Sequence, residues 1–93
     1  MLERSKLRDR FTGSFDGRGE SMPLQPILEL CADRRIWIEN HKGVRHYTRQ
    51  EIWVAVSYGL LQIEGQNLKV CRMEGRLLVI TGRIEHIHIH REG

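Results

Sequence analysis

From Ile27 to His90 the apolar residues recur at every second position. Ile36/Ile38, Ile52/Val54/Val56, Leu61/Ile63, Leu68/Val70, Leu78/Ile80 and Ile87/Ile89 each mark one side of an extended segment. Successive side chains of a strand point to opposite faces, so this spacing predicts strands with one buried face. Candidate strands cover 27–31, 34–40, 44–48, 51–57, 60–64, 67–73, 76–81 and 84–90. Between them lie Ala32-Asp33, His41-Lys42-Gly43, Arg49-Gln50, Tyr58-Gly59, Gly65-Gln66, Glu74-Gly75 and Gly82-Arg83, and five of these seven connectors contain glycine. Links this short join antiparallel neighbours and leave no room for crossover helices. The expected fold is all-β: a small antiparallel meander rolled into a sandwich or barrel-like sheet.

A repeat sharpens the expectation. Leu60, Leu61, Ile63, Gly65 and Val70 return seventeen positions later as Leu77, Leu78, Ile80, Gly82 and Ile87. Each copy is an apolar run, a glycine and a second apolar run, which predicts strand, tight turn and strand written twice. Gly65 and Gly82 are thereby expected at matched turns.

The face opposite the core carries Trp37, Trp53, Ala55, Leu60, Leu77 and Val79. A half-exposed antiparallel sheet ordinarily shows polar residues there. Curling of the sheet, or a segment lying across it, accounts for some of this surplus. The functional account is a self-association or partner surface built on Trp37, Trp53, Leu60 and Leu77, because tryptophan is enriched where binding energy concentrates.

Residues 1–25 have a different composition, with Thr12-Gly13-Ser14, Asp16-Gly17-Arg18-Gly19 and Ser21 and few apolar anchors. They are expected to form a flexible polar tail with a short helix over 2–11, ahead of a β domain spanning 26–93. Pro23 and Pro26 bar a helix at the junction. No apolar run approaches the roughly 20 residues needed to span a bilayer, and the N-terminus lacks a signal core, so a cytoplasmic location is expected.

The net charge of +3 invites a nucleic-acid reading. Arg34, Arg35, Arg45, Arg49, Trp37, Tyr47 and Trp53 would line the groove of a small basic β-barrel that stacks single-stranded bases, with Trp37 and Tyr47 on strands paired through the 41–43 turn. Against it, the arginines alternate with Glu39 and Glu51, and no specific nucleic-acid binding is expected. Cys31 and Cys71 are expected as reduced thiols packed in or near the core.

His86, His88 and His90 alternate on the last strand, so their imidazoles share one side. Two such histidines chelate a zinc or nickel ion when a third ligand is at hand, and His41 and His46 are the candidates. The sequence places no acid beside them, so a solvent-facing edge is the expected state and no metal is assigned. Glu39-Asn40-His41-Lys42-Gly43 is best explained as a turn, with Asn40 capping, Lys42 at the tip and Gly43 left-handed. No nucleophile stands in a recognisable motif with a histidine, and no glycine-rich loop precedes a helix. Neither a catalytic residue nor a cofactor is assigned, and the chain is not expected to be an enzyme.

Three segments carry a family likeness: Ile38-Glu39-Asn40-His41-Lys42-Gly43-Val44, Gly59-Leu60-Leu61-Gln62-Ile63-Glu64-Gly65-Gln66-Asn67-Leu68 and Leu78-Val79-Ile80-Thr81-Gly82-Arg83-Ile84-Glu85-His86-Ile87. Together they resemble the YabP/YqfC family of sporulation proteins, over about residues 26–89. The Ile-Glu-Asn-His-Lys-Gly hairpin resembles the YqfC branch most. The chain departs from the family pattern at Ala32-Asp33, at Arg34-Arg35 and in the histidines of its closing strand. The resemblance implies a non-enzymatic role in endospore formation, in the mother-cell cytoplasm, through contacts with other sporulation proteins, membrane-bound ones among them.

Overall fold

The computed structural model describes residues 24–92, and the expected 2–11 helix lies outside them. The described residues form one antiparallel sheet of six strands and no helix. The strands are β1 (Ile27–Cys31), β2 (Arg35–Glu39), β3 (Val44–Tyr47), β4 (Glu51–Val56), β5 (Gly59–Glu74) and β6 (Leu77–Arg91). Their order across the sheet is β1-β2-β6-β5-β4-β3. The all-β expectation holds. The meander, however, is confined to β3–β6, and the β1–β2 hairpin joins it through β6.

Six strands replace the expected eight because neither Gly65-Gln66 nor Gly82-Arg83 is a turn. Segments 60–64 and 67–73 fuse into β5, and 76–81 and 84–90 fuse into β6. The chain reverses once between them, at Gly75-Arg76, where Gly75 takes φ +53° and Glu74 pairs with Leu77. The repeat is therefore the two arms of one long hairpin.

Gly65 and Gly82 mark the bulged middle of that hairpin, where the register shifts between Glu64 and Gly65 and between Gln66 and Lys69. A Cβ on Gly65 would run into the Arg83 carbonyl, and one on Gly82 would meet the Asn67 carbonyl oxygen. Close backbone approach, not a reversal, requires glycine here.

The bulges switch the inward-facing positions of each strand between odd and even numbers. Leu61 and Ile63 face the core before the β5 bulge and Leu68 after it. In β6, Leu78, Ile80 and Ile84 face inward before the shift and Ile87 after it. A sheet bent in this way curls over its concave face without closing into a barrel, and Ile36, Ile38, Leu78 and Ile80 join Ile52, Val54, Leu61 and Ile63 in one buried cluster. All eight are fully buried. At about 25 cal/mol per Å² of apolar surface, each such side chain stabilises the fold by roughly 1.5–3 kcal/mol.

The link 40–43 carries the chain from one half of the sheet to the other. Asn40 (φ +66°) and Gly43 (φ +118°) supply the bends. The Asn40 and His41 amides donate to the Arg76 carbonyl at 2.9 and 3.3 Å, while the Lys42 amide donates to the Ala55 carbonyl at 2.7 Å. Asn40 Nδ2 also donates to the Gln25 carbonyl at 2.8 Å, and Ser57 Oγ donates to Gln25 Oε1 at 3.1 Å, so Gln25 is tied to the domain. Lys42 is exposed, as expected of a tip. β2 and β3 are consequently not a hairpin: β2 pairs with β1 and β6, and β3 with β4 alone.

Candidate interaction surface

The convex face of β4, β5 and the second half of β6 is built by cross-strand register. Trp53 pairs with Gln62, and Gln62 with His88; Glu51 pairs with Glu64, and Glu64 with His86; Ala55 pairs with Leu60, and Leu60 with His90. Side chains in such rows stand within reach of one another. Here they are tied together. Glu51 Oε2 accepts hydrogen bonds from Trp53 Nε1 at 2.8 Å and from Gln62 Nε2 at 2.7 Å. Gln62 Nε2 also donates to Glu64 Oε2 at 3.0 Å. Glu64 Oε1 lies 3.1 Å from His88 Nε2, and Gln62 Oε1 lies 2.9 Å from His90 Nε2.

Aromatic rings run alongside this network. The Trp53 indole stacks on the His90 imidazole, and His90, His88 and His86 follow one another with centroids 6.3 and 5.8 Å apart. Flat rings held by hydrogen-bonded neighbours lose little further freedom when a partner covers them, which favours binding. Leu60 is half-buried at the end of the row, beside Ala55, which is buried.

The four residues expected to form one patch divide into two pairs. Trp53 and Leu60 lie together on the ladder just described. Trp37 pairs with Val79 and is diagonal to Leu77, at the other end of β6. The rows of Val79 and His88 are nine positions apart, roughly 30 Å of strand. Trp37 and Leu77 are half-buried over Val79, which is itself buried on the convex side. The surplus apolar face thus serves two separate places.

The nucleic-acid groove is not assembled. Tyr47 pairs with Ile52 and faces the concave side, with its hydroxyl accepting the Val70 amide at 3.0 Å, whereas Trp37 and Trp53 face the convex side. The basic residues gather elsewhere. Arg49 and Lys69 line one cleft of about 500 Å³, and Arg34 and Arg83 line another of about 250 Å³, with Asn67 between them.

The histidines stand in solvent, as expected, yet not without acids: β5 brings Glu64 against His88, and β4 brings Glu51 to 4.0 Å from His46. Among the described residues no three His, Cys, Asp or Glu side chains gather to hold a metal ion. His41 has a different role. It is buried, and its Nδ1 accepts the Gly43 amide at 2.9 Å. Cys31 and Cys71 correct their expectation in one respect, since both thiols are exposed and not packed in or near the core. Cys31 pairs with Arg35, out of phase with the inward Ile36, and Cys71 falls in the register shift between Val70 and Arg72.

Glu51, Gln62 and Glu64 are the members of this surface that sequence reasoning missed. Their signal is the shared period of two with His86, His88 and His90, which acquires meaning once the two segments fold about Gly75-Arg76.

A sequence model of the YabP family matches residues 25–93, which takes in all six strands. No curated protein and no solved structure matches the chain.

Proposed function

The chain belongs to the YabP family, and from that membership we propose that it serves endospore formation as a non-enzymatic protein acting through contacts with other proteins. The observation that carries this reading is the extent of the match: the family pattern is the whole sheet, so the role belongs to the sheet as a unit. Within the family, the Ile38–Val44 segment favours the YqfC branch. The convex ladder supports contact as the mode of action, because its carboxylates, amide and imidazoles are engaged with each other and present a pre-ordered surface. Trp53 with Leu60 is the main contact and Trp37 with Leu77 the second. Among the described residues no helix is long and apolar enough to cross a membrane. The working compartment in this reading is the mother-cell cytoplasm, with a membrane-bound partner providing any anchorage.

The test is capture of partners from a sporulating, endospore-forming host, with the parent compared to Trp53→Glu and Leu60→Lys. Both positions are half-buried, so each variant is first checked for a native melt. The expected result is loss of partner capture and of spore yield in a folded variant. A folded Trp53→Glu that captures the same partners and sporulates normally overturns the assignment of this surface.

A further inference from the structure

Among the described residues, the second half of β6 has a neighbour on one side only. β2 accompanies β6 from Leu77 to Thr81, and the β1–β2 turn follows to Ile84, whose amide donates to the Asp33 carbonyl at 2.8 Å. Glu85 is skipped by the register shift, and from His86 to Arg91 the strand pairs with β5 alone among the described residues. The Glu92 amide donates to the Tyr58 carbonyl at 2.9 Å. Strand amides alternate sides, so the backbone groups of His88 and His90 face β5 and those of Ile87, Ile89 and Arg91 face outward.

Exposed edges are ordinarily blunted by lysine, proline or a bulge. The β3 edge of the sheet follows this rule: β3 is broken by a register shift between Val44 and His46, with Arg45 at the break. Glu85-His86-Ile87-His88-Ile89-His90-Arg91 contains no lysine, proline or glycine. It also exposes apolar surface, since Ile89 is 59% accessible on the face that elsewhere forms the core.

We infer that this edge pairs with the same edge of a second copy, antiparallel about a two-fold axis through His88. The strand is self-complementary in that register. Ile87 lies opposite the partner copy's Ile89 on the core side, and His86 opposite its His90 on the ladder side. Arg91 falls opposite the bulged Glu85 of the other copy at both ends, so no like charges are set against each other there. Moving the axis to Ile87 sets Arg91 against Arg83, and moving it to Ile89 takes Glu85 away from Arg91. In the single copy both charged groups lean toward β5: Glu85 Oε2 accepts from Gln66 Nε2 at 3.1 Å, and the Arg91 guanidinium lies 4.4 Å over the Tyr58 ring. Pairing would join two sheets into one of twelve strands and place the two histidine rows side by side. It rests on the backbone and the charge pattern and is independent of the proposed function.

The outward groups are those of Ile87, Ile89 and Arg91, so His88 and its symmetry mate form a non-hydrogen-bonded pair with Cα atoms about 4.5 Å apart, inside the span of a disulfide. His86 and its own mate would be four positions out of register, roughly 13 Å along the strands and beyond that span. The full chain is therefore prepared with Cys31→Ser and Cys71→Ser, and His88→Cys and His86→Cys are added separately. Mild oxidation is expected to yield a covalent dimer for His88→Cys and not for His86→Cys. Sedimentation equilibrium of the parent at about 0.1 mM should show dimer, a concentration suited to an interface below about 1,200 Å². Ile89→Pro removes only an outward amide, leaves the β5 ladder intact, and should weaken the dimer at least about tenfold. A parent that is monomeric at that concentration, or equal crosslinking of the two cysteine variants, overturns the inference. So does a folded Ile89→Pro variant that dimerises like the parent.

Discussion

Trp53 and His90 stack across an intervening strand, with ring centroids 4.9 Å apart and planes 18° from parallel. They are not register partners. Trp53 sits in the row of Gln62 and His90 in the row of Leu60, so the rings meet diagonally over β5. Diagonal positions are within reach of aromatic side chains. A double-mutant cycle with Trp53→Leu and His90→Ala is expected to give a coupling of roughly 0.5–1 kcal/mol in urea unfolding, the lower part of the aromatic-pair range because His90 is exposed. Additive losses would mean that the rings are neighbours without interacting.

The mid-hairpin glycines should be intolerant of any side chain. Gly65→Ala and Gly82→Ala each place a Cβ against the backbone of the opposite strand and are expected to destabilise by roughly 2–3 kcal/mol. Gly75→Asn is the contrast. Space around Gly75 is open and asparagine tolerates a positive φ, so its cost should stay below about 1 kcal/mol. Thermal melts that rank Gly75→Asn with the other two would contradict the bulge assignment.

His41 illustrates the cost of an orphaned donor. It is 8% exposed; Nδ1 accepts the Gly43 amide, and Nε2 is buried without a hydrogen-bond partner. His41→Phe gives up one made bond and one unsatisfied group, and its stability is expected within about 1 kcal/mol of the parent. His41→Ala leaves a cavity at the 40–43 link and should lose about 2–3 kcal/mol. Equal losses for the two variants in guanidinium unfolding would show that the bond to Gly43 outweighs the filling of space.

Cys71 is exposed on β5. Its thiol should react with a disulfide reagent in the native protein as completely as in denaturant. Protection of Cys71 without denaturant would place it in contact with another surface.

The alternation of apolar residues was enough to identify most of the core: Ile36, Ile38, Ile52, Val54, Leu61, Ile63, Leu78 and Ile80 are all fully buried as the period of two requires. It failed at the phase breaks. Between Ile63 and Leu68 the inward parity changes beside Gly65, and between Ile84 and Ile87 it changes at Glu85, three positions after Gly82; a turn and a bulge leave similar marks on the sequence. Taking both as turns hid the hairpin, and with it the meeting of Glu64 and His88. Ile89 shares its phase with Ile87 yet is exposed, because the sheet ends at that edge. The assumption that consecutive strands pair failed at Asn40–Gly43, where two left-handed residues redirect the chain toward β4.

The placement of β6 between β2 and β5 has a consequence for synthesis. Ile38 meets Leu78 in register, 40 residues later in the chain, and Ile36 meets Ile80. A ribosome adding roughly 5–20 residues per second therefore releases the apolar side of β2 seconds before its cover exists. During that interval β3, β4 and the first half of β5 can already close locally, because their partners are near in sequence. The β1–β2 hairpin can also close on itself, but it has nothing to dock on until β6 emerges. Its docking is the last event, and a nascent chain stalled before Leu77 would present Ile36 and Ile38 to whatever chaperone waits at the exit.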